Sequence, residues 1–222
     1  MRSSISNITF SLAVGLAVGT SGPLLQSMGD PVSHVASIAL VAGWMYALIA
    51  FGVGWAARSK RGAALTALAT LVVAVVAYYG TKAAQGGFRA PDFDDPANAD
   101  GFFAWNEFLS VIVVWCVFAV LLGPLCGLAG HLSRTGSRTL RPLLRLPCRL
   151  LVPAVVVFET SLRLIHEPDG QDGAVVRPVW IVTRLLAVAV ALVLVATAVV
   201  ATRRDRDGGA ERGGTDVGSG PR

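Results

Sequence analysis

The feature that most constrains this chain is a series of long stretches without a single Asp, Glu, Lys or Arg. They run Ser3–Gly29, Pro31–Ala57, Gly62–Thr81, Phe108–Ser133 and Leu185–Thr202. A helix needs about 20 mostly apolar residues to cross the hydrocarbon of a bilayer. Each stretch meets or nearly meets that length, and the last extends back to Pro178 if Arg184 is tolerated. A sixth stretch, Leu150–Ile165, is interrupted by Glu159 and Arg163. Only 15% of the chain is charged and 54% is hydrophobic, whereas a soluble domain carries about 25% charged residues. Soluble and disordered readings are therefore excluded, and an all-α membrane bundle is expected.

Loop charge sets the expected topology. Arg58, Lys60 and Arg61 follow the second stretch, and Arg134, Arg138, Arg141, Arg145 and Arg149 follow the fourth. Asp92, Asp94, Asp95 and Asp100 follow the third, and Glu167, Asp169 and Asp172 follow Ile165. Lys and Arg concentrate in cytoplasmic loops. Six spans with both termini inside place every basic link in the cytoplasm. Without a crossing at Leu150–Ile165, the basic tail from Arg203 would be exported. The expected spans are about 7–28, 34–57, 62–82, 104–130, 150–166 and 178–202, followed by a disordered cytoplasmic tail, 203–222. The first stretch continues through Pro23-Leu24-Leu25, which favours an uncleaved helix over a signal peptide.

In lipid, helices associate through small residues that permit close approach. Gly15 and Gly19, with Ala13 and Ala17, form such a seam in the first span. Gly123, Gly127 and Gly130 form another in the fourth, where Pro124 is expected to kink the helix or loosen its backbone bonds. Trp44, Trp55, Trp105 and Trp180 lie within or near span ends and read as interfacial anchors. Cys116, Cys126 and Cys148 lack metal or redox spacing and read as buried residues or free thiols.

Polar groups at membrane depth are costly and mark either pairs or sites. Glu159 falls mid-span, with Arg163 one turn on. Arg184 lies two turns into the last span, Glu107 opens the fourth, and Tyr79 closes the third. Two readings follow. In one, these five residues line an outward-facing polar pocket for a small solute or proton. In the other, Glu159 pairs with Arg163 or Arg184 only to join helices. The five arginines from Arg134 to Arg149 read as an interfacial segment contacting anionic lipids, with Pro142 and Pro147 arguing against one continuous helix there. The outer aspartates, with Asn98, fail the calcium-loop pattern because Pro96 intervenes. His34, His131 and His166 sit at membrane edges, poorly placed for haem. No nucleophile, metal or phosphate motif appears, so the chain reads as neither an enzyme nor a metal, cofactor or nucleic-acid binder.

The order of short motifs carries a resemblance: Gly43-Trp44, Ala50-Phe51 and Gly54; Tyr78-Tyr79-Gly80; Gly123-Pro124 to Gly130; then Phe158-Glu159. It resembles a family of uncharacterised multi-pass membrane proteins of actinobacteria. That resemblance implies a bacterial cytoplasmic membrane and no known activity. A weaker likeness, resting on Ala13-x-x-x-Ala17 and the helix count, is to the substrate-binding subunits of energy-coupling-factor transporters, which implies a membrane partner subunit.

Overall fold

The computed structural model describes residues 2–90, 102–135, 142–166 and 173–212. The helices are α1 (Arg2–Ser27), α2 (Pro31–Val41), α3 (Gly43–Ala56), α4 (Lys60–Ala84), α5 (Trp105–Thr135), α6 (Pro142–His166) and α7 (Gly173–Arg212). A two-residue antiparallel ladder, β1 (Arg89–Ala90) with β2 (Phe102–Phe103), joins α4 to α5. The chain is otherwise all-α. Ile8–Ser27, α4, the body of α5 and Val176–Ala201 are long and apolar enough to cross a membrane. Val32–Val41 and Gly43–Ala56 pass that test together but bend by 61°, which brings the number of candidate spans from four to at most five among the described residues. The expected six is not reached. The shortfall is α6, a 25-residue helix whose Arg145, Arg149, Glu159 and Arg163 make it too polar to qualify by composition.

Three boundaries differ from expectation. The second span is broken at Ala42 rather than continuous over 34–57. The fifth starts at Pro142, not 150, and takes Pro147 and Pro153 inside one helix. Proline suits the first helical position, where an N–H has no partner anyway, so Pro142 opens α6 instead of breaking it. The arginine-rich link is therefore divided between two helices. Arg134 belongs to the last turn of α5 and Arg145 and Arg149 to α6, while Arg138 and Arg141 lie outside the described residues. The last helix runs on to Arg212, past the expected tail boundary at 203; residues 213–222 and the acidic loop 91–101 also lie outside the described residues.

Each helix start needs partners for its first N–H groups, and the chain uses different means. Asp30 Oδ1 accepts from the Val32 and Ser33 N–H groups at 3.0 and 2.9 Å to open α2. Ser59 Oγ accepts from Gly62 N–H at 3.1 Å to open α4. The Ser33 side chain, then the Ser33 and Val32 backbone N–H groups, hold the Asp30 carboxyl below its ordinary value of 3.8. A carboxyl lowered on folding stabilises above its unfolded pKa and loses that contribution as pH falls through the folded one. The α2 cap is thus expected intact above about pH 5 and lost in strong acid. Far-UV circular dichroism of Asp30→Asn, which keeps a capping oxygen but does not titrate, should lack that acid step.

The bundle is built around α4, which packs against α1, α3 and α5, while α6 pairs with α7 and leans on α3 and α5. Its centre consists largely of small residues: Ala47, Ala50, Ala67, Ala119 and Cys126, with Leu71. Glycine makes the closest approaches. A Cβ on Gly15 would lie 2.5 Å from the Thr70 carbonyl oxygen, and one on Gly19 would overlap the Ala74 carbonyl. Gly54 and Gly127 meet backbone to backbone, and Gly130 sits against the Phe51 carbonyl. The seam glycines thus join α1 to α4 and α5 to α3 and α4. Buried threonines return their hydroxyls to their own helix, Thr70 to Thr66 at 2.7 Å and Thr160 to Val156 at 2.7 Å, which satisfies polar groups that an apolar interior could not solvate. Large apolar side chains face outward along α1, α5 and α7, including Phe10, Leu121 and Leu192.

Candidate functional site

The break between α2 and α3 is where the chain's most costly charge sits. Ala42 is extended (φ −63°, ψ 139°) and offers no side-chain cap to α3. Glu159, two turns before the end of α6, supplies it instead. Its Oε1 accepts from Gly43 N–H at 2.9 Å and its Oε2 from Trp44 N–H at 2.6 Å. Oε1 also accepts from Arg163 Nε and Nη2, both at 3.1 Å. The Arg163 guanidinium lies 4.7 Å from the ring centre of Trp180, which is 1% exposed. One carboxylate thereby connects α3, α6 and, through Arg163, α7. The amides of a helix N-terminus carry partial positive charge, so the carboxylate meets a dipole on one side and a cation on the other. A Cβ at Gly43 would approach Glu159 Oε2 to 3.0 Å, so a larger residue there requires the carboxylate to shift. With four donors already satisfied, Glu159 reads as a latch across the helix break.

Of the two pairings expected for Glu159, the geometry has the one with Arg163. Arg184 is exposed on α7 and Glu107 is exposed in the first turn of α5; no contact brings either to Glu159. Trp180 is no interfacial anchor: it is buried beneath Arg163. Trp55 and Trp105 are 50% and 62% exposed at helix ends, and Arg134 stacks 5.6 Å from the Trp55 ring centre. Arg145 is half-buried and Arg149 exposed near the start of α6. His131 is buried with Nδ1 3.1 Å from the Ala57 carbonyl, so it ties α5 to the end of α3. A carbonyl only accepts, which makes Nδ1 the protonated nitrogen.

Tyr79 belongs to a different place. A cavity of about 280 Å³ lies among α3, α4 and α5 and is lined by Gly43, Tyr46, Tyr78, Tyr79, Trp115 and Phe118, with aliphatic side chains between them. A second cavity, of about 360 Å³, lies between α1, α3 and α4 near the basic turn and includes Ile8, Phe10, Val53 and Arg58. Glu159 lines neither. The five residues of the pocket reading therefore divide: two form the latch, one lines an apolar cavity, and two face outward. The sequence contained one signal for the break, a glycine followed by an aromatic inside an apolar run. The aromatic lid was not foreseen. Phe88, 7% exposed, packs 5.2 Å from Phe108 and 6.2 Å from Tyr79, ring centre to ring centre, and covers the α4–α5 end of the bundle.

Among the described residues no three His, Cys, Asp or Glu side chains gather where a metal ion could sit. The fold and site define a helical bundle with four or five candidate membrane spans and a carboxylate-latched helix break. The chain belongs to a family of unknown function (DUF6518), whose model matches residues 1–95 and 97–210. No curated protein and no solved structure matches it.

Proposed function

We propose that this is a multi-pass protein of a bacterial cytoplasmic membrane, crossing it six times with both termini inside, and acting as a structural or partner-binding bundle rather than an enzyme. The observation that carries this reading is the saturation of Glu159. A carboxylate awaiting a solute or proton would keep open acceptor positions and face a cavity; this one spends its positions on Gly43, Trp44 and Arg163. The same pairing supports a sixth crossing by α6. At 1.5 Å per residue its 25 residues reach about 37 Å, enough for the hydrocarbon. Glu159 and Arg163 neutralise each other toward the protein, and Phe158 and Ile165, 67% and 75% exposed, are left for lipid.

The outward belt of large apolar side chains supports membrane residence, because contiguous patches of that size are rare on soluble monomers. A partner subunit has a natural approach on α1, where Ala13 and Ala17 are exposed on the side away from Gly15 and Gly19. Arg145 and Arg149 near the start of α6, with Arg134 at the end of α5, would meet anionic lipid at the inner surface.

Reporter fusions test the topology. Alkaline phosphatase, active only outside, should be active when inserted near residue 95 and inactive when fused after residue 222. A fluorescent protein that matures only inside should give the opposite pattern. Phosphatase activity at the C-terminus would remove the crossing by α6 and with it the six-span arrangement.

A further inference from the structure

We infer that the 280 Å³ cavity among α3, α4 and α5 is a binding site for a small, neutral, membrane-soluble ring compound bearing carbonyl or hydroxyl oxygens, of the quinone or phenol class. Its walls carry no charged side chain, so an ion or a charged solute would find no counterpart there. Trp115 and Phe118 are 45% and 49% exposed, so the cavity opens sideways onto the apolar flank rather than toward a helix end. Tyr79 lies about 8 Å of helix rise from the end of α4, and Trp115 about 15 Å from the start of α5. A ligand would enter from the hydrocarbon.

Three phenols point to the oxygen atoms of that ligand. Tyr78 and Tyr79 pack edge to face with ring centres 5.0 Å apart, and Tyr46 lines the same cavity. None of the three hydroxyls has a hydrogen-bond partner among the described residues. This contrasts with the buried threonines, which spend their hydroxyls on their own helix. A phenol whose hydroxyl is not engaged by the protein has a hydrogen bond to offer, and an acyl chain filling the cavity could not accept it. A ring compound with acceptor oxygens satisfies them and also meets the aromatic edges and faces of Tyr79, Trp115 and Phe118 in their preferred geometries. The volume lies just below the usual range for ligand pockets, about 300–1,000 Å³, which suits one or two rings. Gly43 lines this cavity while donating its N–H to Glu159, so the ligand would touch the residue that the latch holds.

The test is a tryptophan-quenching titration of the full-length protein in phosphatidylcholine nanodiscs, with tetramethyl-benzoquinone as probe. Saturable quenching is expected, with most of its amplitude lost in Trp115→Phe. Tyr46→Phe and Tyr79→Phe should each weaken binding by about fivefold, the loss of one neutral hydrogen bond. Val75→Phe, which fills the cavity, should abolish the saturable component, and its thermal midpoint reports whether it still folds. Quenching that rises linearly without saturation would overturn the inference. So would a Tyr46→Phe/Tyr79→Phe double variant with an unchanged midpoint, because apolar space alone would then hold the probe as it would an acyl chain.

Discussion

Glu159→Ala is expected to destabilise the protein by about 2–3 kcal/mol, below the cost of removing one partner of a fully buried charge pair, because the Arg163 and Glu159 side chains are 34% and 19% exposed. The cost has three sources. The Gly43 and Trp44 N–H groups lose their acceptor, and unsatisfied buried donors cost about 1–3 kcal/mol each. Arg163, whose side chain is 34% exposed, loses its counter-charge. The α2–α3 break loses its hydrogen-bonded tie to α6. Glu159→Gln should fall between, because an amide presents one oxygen and one donor where two N–H groups point. Arg163→Gln should be milder still, since Glu159 keeps both backbone donors, although the Trp180 stacking contact is lost. Thermal unfolding in a mild detergent, read as this ranking, checks the latch. An Ala variant as stable as the parent would sink it, and would return Glu159 to the class of residues kept for a ligand.

Gly54→Ala is the second large effect. A Cβ at 54 would overlap the Gly127 backbone, so α3 and α5 must separate along their whole contact. Overpacking of this kind costs about 1–3 kcal/mol for a methyl group, and Gly54→Leu should prevent recovery of folded protein. Gly52, two residues earlier on the same helix, is the control: nothing lies within 4 Å of a Cβ there. Gly52→Ala should be neutral or stabilising by up to about 1 kcal/mol, the difference in helix propensity. Opposite signs at 52 and 54 in one detergent-stability series would establish backbone contact between α3 and α5. Equal effects would show that the glycines are interchangeable.

Much of this was readable from residue order. Charge-free runs of spanning length fix where helices begin and end to within a few residues at α1, α4 and the start of α5, because a bilayer-length apolar segment has few alternatives to a helix. Small residues four apart pointed to the close seams at Gly15, Gly19 and Gly127. The glycine opposite Gly127 was harder to find. Gly54 lies in a run that also contains Gly52, and composition cannot separate a glycine that a neighbour touches from one that faces open space.

The sequence by itself determined the class of the chain: an all-helical protein whose apolar stretches are long enough to span a bilayer, with Glu159 as its most anomalous charge. Tertiary structure decided what that charge does. Ala42-Gly43 carries no strong breaker, and nothing local requires the helix to end there. The break is stable because a carboxylate 116 positions later in the chain reaches its free amides. Periodicity reports the face on which a residue lies. It cannot report which distant backbone has been left without hydrogen bonds, so of the two readings open for Glu159 the helix-joining pair extended into a latch. The cavity meanwhile fell to three tyrosines, of which the sequence had marked only Tyr79.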